Sequence, residues 1–175
     1  FNNGNTSNDL GSKTQPISAG GFDKTNKGMF HGGDIQGLKD KLPYLKSLGI
    51  SSIWLTPILR NQAVQADSSG YHGYWVLDFT KIDPHLGSNE DLKALIDSAH
   101  AENIKIYFDI ITNHTADVIK YVECHGEDGL QWLVSSDKGC PFKSAAQVEA
   151  GDKYTTVIPK GHEQLKTPAW LNDPK

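Results

Sequence analysis

Two short stretches hold the residues whose types and spacing could do chemistry. "SSGYHGYWVLDF", residues 68–79, gathers Tyr71, His72, Tyr74, Trp75 and Phe79 around glycines, and "DIITNH", residues 109–114, sets Asp109, Asn113 and His114 close together. Rings beside hydrogen-bonding groups suit a carbohydrate. The C–H face of a pyranose packs on an aromatic ring, while its hydroxyl rim needs donors and acceptors. In that use Tyr74 is the platform, and His72 and His114 are the polar partners. A plainer reading stands beside it: Tyr71, Tyr74 and Trp75 pin a loop to the domain by aromatic packing. A histidine after a strand is by default structural, and only its company with Asp109 and Asn113 raises His114 above that.

A second group is rich in oxygen. Asn3, Asn5, Asn8 and Asp9 crowd the amino end, and "HGGD" adds Asp34 with a flexible backbone. Hard calcium takes six to eight oxygens from carboxylates, amides and carbonyls. The EF-hand template does not fit, and the alternative is an Asn-Gly turn followed by polar loop. Cys124 and Cys140 are the only cysteines. Read with His125 they could form a metal pair, but further ligands at suitable spacing are not evident. A disulfide of a secreted protein and two free thiols are the other readings. A bridge closing that loop would contribute on the order of 3 kcal/mol by restricting the unfolded chain.

These residues need elements to position them. Leu38, Leu42, Leu45 and Leu48 recur at helical spacing, with Pro43 marking a kink or a restart and Gly49 the end. "ISSIWLTPI" follows as a strand stopped by Pro57. Ser88 and Asp91 open a second helix with a capping-box pattern, and Leu92, Leu95, Ile96 and Ala99 form its apolar face. "IKIYFDII", residues 104–111, reads as a strand buried on both faces. Helix, strand, helix, strand argues an α/β fold with a parallel sheet, in which functional residues gather at the carboxyl ends of strands. "DIITNH" lies at one such end, and the loop after the preceding strand carries "GYHGYW". Beyond residue 115 the rhythm breaks into an irregular region.

Composition sets limits on function. The chain has 175 residues, of which 37% are hydrophobic and 22% charged, enough for one domain with a core. A net charge of −4 leaves no basic footprint for nucleic acid. No apolar run reaches the eighteen or so residues a membrane span needs, and no G-x-G-x-x-G follows a strand, which disfavours a dinucleotide-binding protein. Phe1 leads straight into a turn, and "TPAWLNDPK" closes with neither helix nor strand, so the chain reads as a piece of a larger protein.

Taken together, "GYHGYW", "DIITNH", the helix leading into "LGISSIWLTPI", and "PAWLNDP" resemble the α-amylase family of glycoside hydrolases. The opening "FNNGNTSND" with "GGD" is most similar to the cyclodextrin glucanotransferase and bacterial maltogenic-amylase branches. The resemblance implies the amino-terminal part of a (β/α)8 barrel over residues 1–114, with strands two and three at 51–57 and 104–111. Residues 115–175 would then begin an irregular inserted domain, incomplete here. It implies that Tyr74 stacks on the sugar before the scissile bond, with Trp75 nearby. His72 and His114 would hydrogen-bond that sugar, and Asp109 would support them. Asn113 matches a calcium ligand, and Asn3, Asn5, Asn8, Asp9, the carbonyl of Gly32, and Asp34 match a second calcium site. The implied partner is an α-glucan or maltooligosaccharide, and the implied location is extracellular. The nucleophile, the acid/base and a third Asp are expected beyond Lys175, so the isolated chain is expected to be inactive. A non-catalytic carbohydrate-binding or partner-subunit member of the fold, and a transglycosylase, are the alternatives.

Overall fold

The computed structural model describes residues 1–11, 19–65, 67–129, 143–160 and 163. The chain divides into two compact units, Phe1–Ala116 and Asp117–Lys175.

In the first unit the leucine periodicity forms two short helices, α1 (Ile35–Asp40) and α2 (Leu42–Ser47), and the chain restarts rather than bending. Asp34 caps α1 by accepting the Gly37 N–H. Pro43 sits in the first turn of α2, where its missing N–H costs nothing. Four strands follow: β1 (Ser52–Leu55), β2 (Leu59–Asn61), β3 (Val64–Gln65) and β4 (Ser68–Ser69). β5 (Val76–Ile82) then leads to α3 (Asn89–Ala101) and β6 (Lys105–Phe108). The Ser88 hydroxyl accepts the Asp91 N–H at 3.1 Å, and Asp91 Oδ2 accepts the Ser88 N–H at 2.9 Å. Two otherwise orphaned helix donors are thus satisfied by a local pair.

β1 and β6 pair in parallel, with Ile53 opposite Ile106 and Trp54 opposite Tyr107, while β5 returns antiparallel to β2. The core lies on one face of the parallel pair. Ile35, Leu42, Leu95, Ala99 and Ile104 are buried there, with Ile53, Leu55 and Ile106 packed against them. Within this chain only one of the two faces expected to be buried is covered. The helices cover one side only, so Trp54 is 73% and Tyr107 55% exposed on the other.

The second unit contains β7 (Lys120–Tyr121), α4 (Val122–His125), α5 (Ala145–Glu149) and β8 (Thr156–Val157), with β7 and β8 antiparallel. Tyr121 stacks on Tyr154 with ring centroids 4.3 Å apart. Cys124 is buried in α4 and carries no free thiol. Cys140 lies outside the described residues.

Candidate functional site

The site is built where two strand ends meet. The Asp109 N–H donates to the Leu55 carbonyl at 3.0 Å, extending the β1–β6 ladder by one bond and fixing Asp109 at the carboxyl end of β6. The chain leaving β1 runs out through β2 and comes back just before β5, bringing Tyr74 alongside. The return needs glycine. Gly73 has φ +82°, and a Cβ there would stand 2.0 Å from the Pro57 carbonyl oxygen. Only a residue without a side chain lets the backbone pass so close at that angle.

Five sequence-predicted residues come together here. The Tyr74 hydroxyl donates to Asp109 Oδ2 at 3.1 Å, and His114 Nε2 meets the Tyr74 carbonyl at 3.1 Å. The Tyr74 N–H donates to His72 Nδ1 at 3.0 Å. The His72 ring lies 5.7 Å from Tyr74 in a stacked orientation and 4.7 Å from Trp75 edge-on. Tyr74 stays 42% exposed, so its ring is available as a platform. The bonding partners assign the tautomers. His72 accepts at Nδ1, so its proton sits on Nε2. His114 donates from Nε2 to a carbonyl, and its Nδ1 is not used in that bond. One His114 nitrogen therefore braces the platform instead of reaching outward, a role the sequence reading did not assign.

Electrostatics follow from these contacts. The Asp109 carboxylate beside it holds the Tyr74 phenol above its ordinary pKa, because ionisation would lose the hydrogen bond and set two anions together. Partial burial pushes the His72 imidazole below its ordinary value.

Sequence reasoning missed three buried polar residues behind this surface: Asn61, Asp83 and His85. The Asn61 side chain reaches the backbone on both sides of Tyr74, and Asp83 Oδ2 accepts the Asn61 N–H at 2.9 Å. His85 bonds Asp83 Oδ1 at 2.7 Å and the Gly20 carbonyl at 2.8 Å, and it stacks on Phe30 at 3.9 Å. Composition carried no signal for them, since short polar residues near strand ends ordinarily read as surface turns.

The proposed calcium ligands are gathered only in part. Asn8, Asp9 and Gly32 line one cavity of about 240 Å³. Asn8 is anchored there by donating from Nδ2 to the His85 carbonyl at 2.9 Å. Asn3 Oδ1 and Asn5 Oδ1 accept N–H groups of their own loop, and Asp34 Oδ1 caps α1. Asn113 is exposed and is not among the residues lining that cavity. Among the described residues no group of three or more His, Cys, Asp or Glu could hold a metal ion. Asn8, Asp9 and Gly32 bring oxygens to that cavity, which Lys27 and His31 also line.

The His72 geometry predicts a pH effect. The folded value lies below the unfolded one, so folded His72 takes up its proton less readily, and that disfavours the fold only as pH falls from the ordinary histidine range through the lowered value. Following the His72 ring C–H resonances by NMR should give a midpoint below about 6.5, the ordinary histidine value. A midpoint at or above it would contradict the burial and the neutral tautomer.

The catalytic domain model of the α-amylase family matches residues 1–169. An α-amylase of Streptomyces lividans is 45% identical over 171 residues, covering 88% of this chain and 18% of its own length. A cyclomaltodextrin glucanotransferase of Klebsiella oxytoca is 40% identical over 119 residues, covering 66% of this chain and 17% of its own. The chain therefore spans under a fifth of the length of these two relatives. Among solved structures, a cyclomaltodextrin glucanotransferase with a three-domain ABC distribution superposes with a TM-score of 0.58 at 38% identity, over 66% of this chain and 24% of its own. An Anoxybacillus α-amylase superposes at 0.51 and 41% identity, over 66% of this chain and 22% of its own. With its parallel strand pair, helical cover and polar strand ends, the chain belongs to the α-amylase family of glycoside hydrolases, and its α/β fold is the amino-terminal part of that family's (β/α)8 barrel.

Proposed function

We propose that the protein carrying this chain acts on α-1,4-linked glucose polymers with retention of configuration, and that His72, Tyr74, Trp75, Asp109 and His114 form one of its sugar subsites. The observation that carries the reading is the Tyr74 hydroxyl on Asp109 at 3.1 Å, with the ring left exposed at the junction of two strand ends. A pyranose face packs on Tyr74. His72 offers its Nε2 proton, His114 its Nδ1 and Asp109 its remaining acceptor capacity to the hydroxyl rim. Retaining cleavage needs a nucleophilic carboxylate and an acid/base carboxylate about 5 to 5.5 Å apart. Asp109 is a supporting group on this reading, and the reacting pair belongs to the rest of the protein. Chain residues 1–114 serve the barrel and 115–175 the inserted domain. The similarity to glucanotransferases favours transglycosylation as a second reading.

Replacing Tyr74 tests the role. In the full-length protein Tyr74→Ala should lower kcat/KM on maltoheptaose about 100-fold, since a reactant misplaced by an ångström loses on that order. An unchanged kcat/KM would remove Tyr74 from the subsite. Binding of maltoheptaose without turnover would favour a non-catalytic member of the fold.

Calcium is the proposed ion. Asn8, Asp9 and the Gly32 carbonyl would hold it, joined by Asn3, Asn5 and Asp34, with Asn113 serving a separate ion. Bound calcium would neutralise carboxylate charge and pin the amino-terminal segment, stabilising the fold by linkage. Chelation should lower the thermal midpoint, and Asp9→Ala should reduce that response, leaving the part due to the Asn113 ion. A midpoint indifferent to calcium would exclude the site. A Cys124–Cys140 bridge and an extracellular location complete the proposal, in keeping with the redox compartment where structural disulfides persist.

A further inference from the structure

We infer that Asn61 is a positioning residue for the sugar platform, an inference that rests on the subsite proposed above. Asn61 is 1% exposed at the end of β2. Its Oδ1 accepts the Trp75 N–H at 2.6 Å, and its Nδ2 donates to the carbonyls of Gly73 at 3.2 Å and Leu59 at 2.5 Å. Gly73 and Trp75 are the two neighbours of Tyr74. One amide therefore grips the chain immediately before and immediately after the platform residue.

The choice of side chain follows from the partners. Trp75 presents a donor and Gly73 an acceptor, so the group between them must accept and donate at adjacent atoms. Only a carboxamide does so at this reach. Aspartate would turn acceptors towards two carbonyls, and leucine would leave both backbone groups buried without partners. Asn61 is held in its own place by the Asp83 carboxylate on its N–H. Tyr74 is thereby tied at five points: Asn61 at both backbone flanks, His72 at its N–H, His114 at its carbonyl and Asp109 at its hydroxyl. Buried as it is, Asn61 touches no sugar and acts through the Gly73–Trp75 segment that carries Tyr74.

A purely structural Asn61 would lower activity by loosening the fold, independently of Tyr74. A positioning Asn61 loses its effect once the platform is gone, so a double-mutant cycle separates the two. In the full-length protein with maltoheptaose, Asn61→Ala should lower kcat/KM by up to about 100-fold. In the Tyr74→Ala background the same change should cost less than about 3-fold more. An equal loss in both backgrounds, or none in the first, overturns the inference. A second measurement needs no variant. Saturating maltoheptaose should slow hydrogen exchange of the Trp75 amide by about tenfold, since a bound sugar must resist opening of the grip that orients its platform. A Trp75 amide that exchanges equally fast with and without the sugar also overturns it. Failure of the unsubstituted protein to bind or turn over maltoheptaose would instead strike at the subsite reading itself.

Discussion

The parallel register of β1 with β6 is the constraint on which the site depends. With Leu55 opposite Phe108, the next backbone bond runs from the Asp109 N–H to the Leu55 carbonyl. That bond ends the ladder and fixes where Asp109 stands. A slip of β6 by one residue would turn Asp109 to the other face and send Ile106 away from the helices. The apolar packing of Leu95, Ala99 and Ile104 therefore specifies the same register that places the carboxylate. Core and site are settled by one pairing.

Behind the polar surface, buried groups are arranged so that none carries its charge alone. Asp83 accepts from the Asn61 backbone and from the backbone and ring of His85, and His85 passes the connection to Gly20 and Asn8. A carboxylate at 2% exposure is tolerable because its oxygens are occupied by donors. The loop bearing Tyr74 and the amino-terminal segment with the proposed calcium ligands rest on this one network. It takes the role in the polar layer that Leu95 takes in the apolar one.

What was legible in the sequence is what is local. The Ser88–Asp91 box and the apolar stripe of α3 lie within a few turns, so pattern alone located the helix. Strands β1 and β6 were legible as apolar runs, and their company with "GYHGYW" and "DIITNH" pointed to the shared strand ends. A run of apolar residues does not state which neighbours cover it, and this chain supplies cover for only one face of β1 and β6. Asn61 was illegible for a different reason. Its partners are backbone groups of Gly73 and Trp75, 12 and 14 positions away, and Asp83, 22 positions away. Such contacts exist only once β2 and β5 have paired. His114 was read as standing at the end of β6, but its bracing of the Tyr74 carbonyl required the loop to be folded over it.

On the proposed reading Tyr74, braced from below by Asn61 and at its tip by Asp109, is a face for a glucose ring. A crystal structure of the full-length protein soaked with maltoheptaose tests it most directly. A glucose unit should stack on the Tyr74 ring, with hydroxyls within hydrogen-bonding distance of His72 Nε2, His114 Nδ1 and Asp109. A well-ordered oligosaccharide seated elsewhere, with the Tyr74 ring bare or covered by protein, would contradict it.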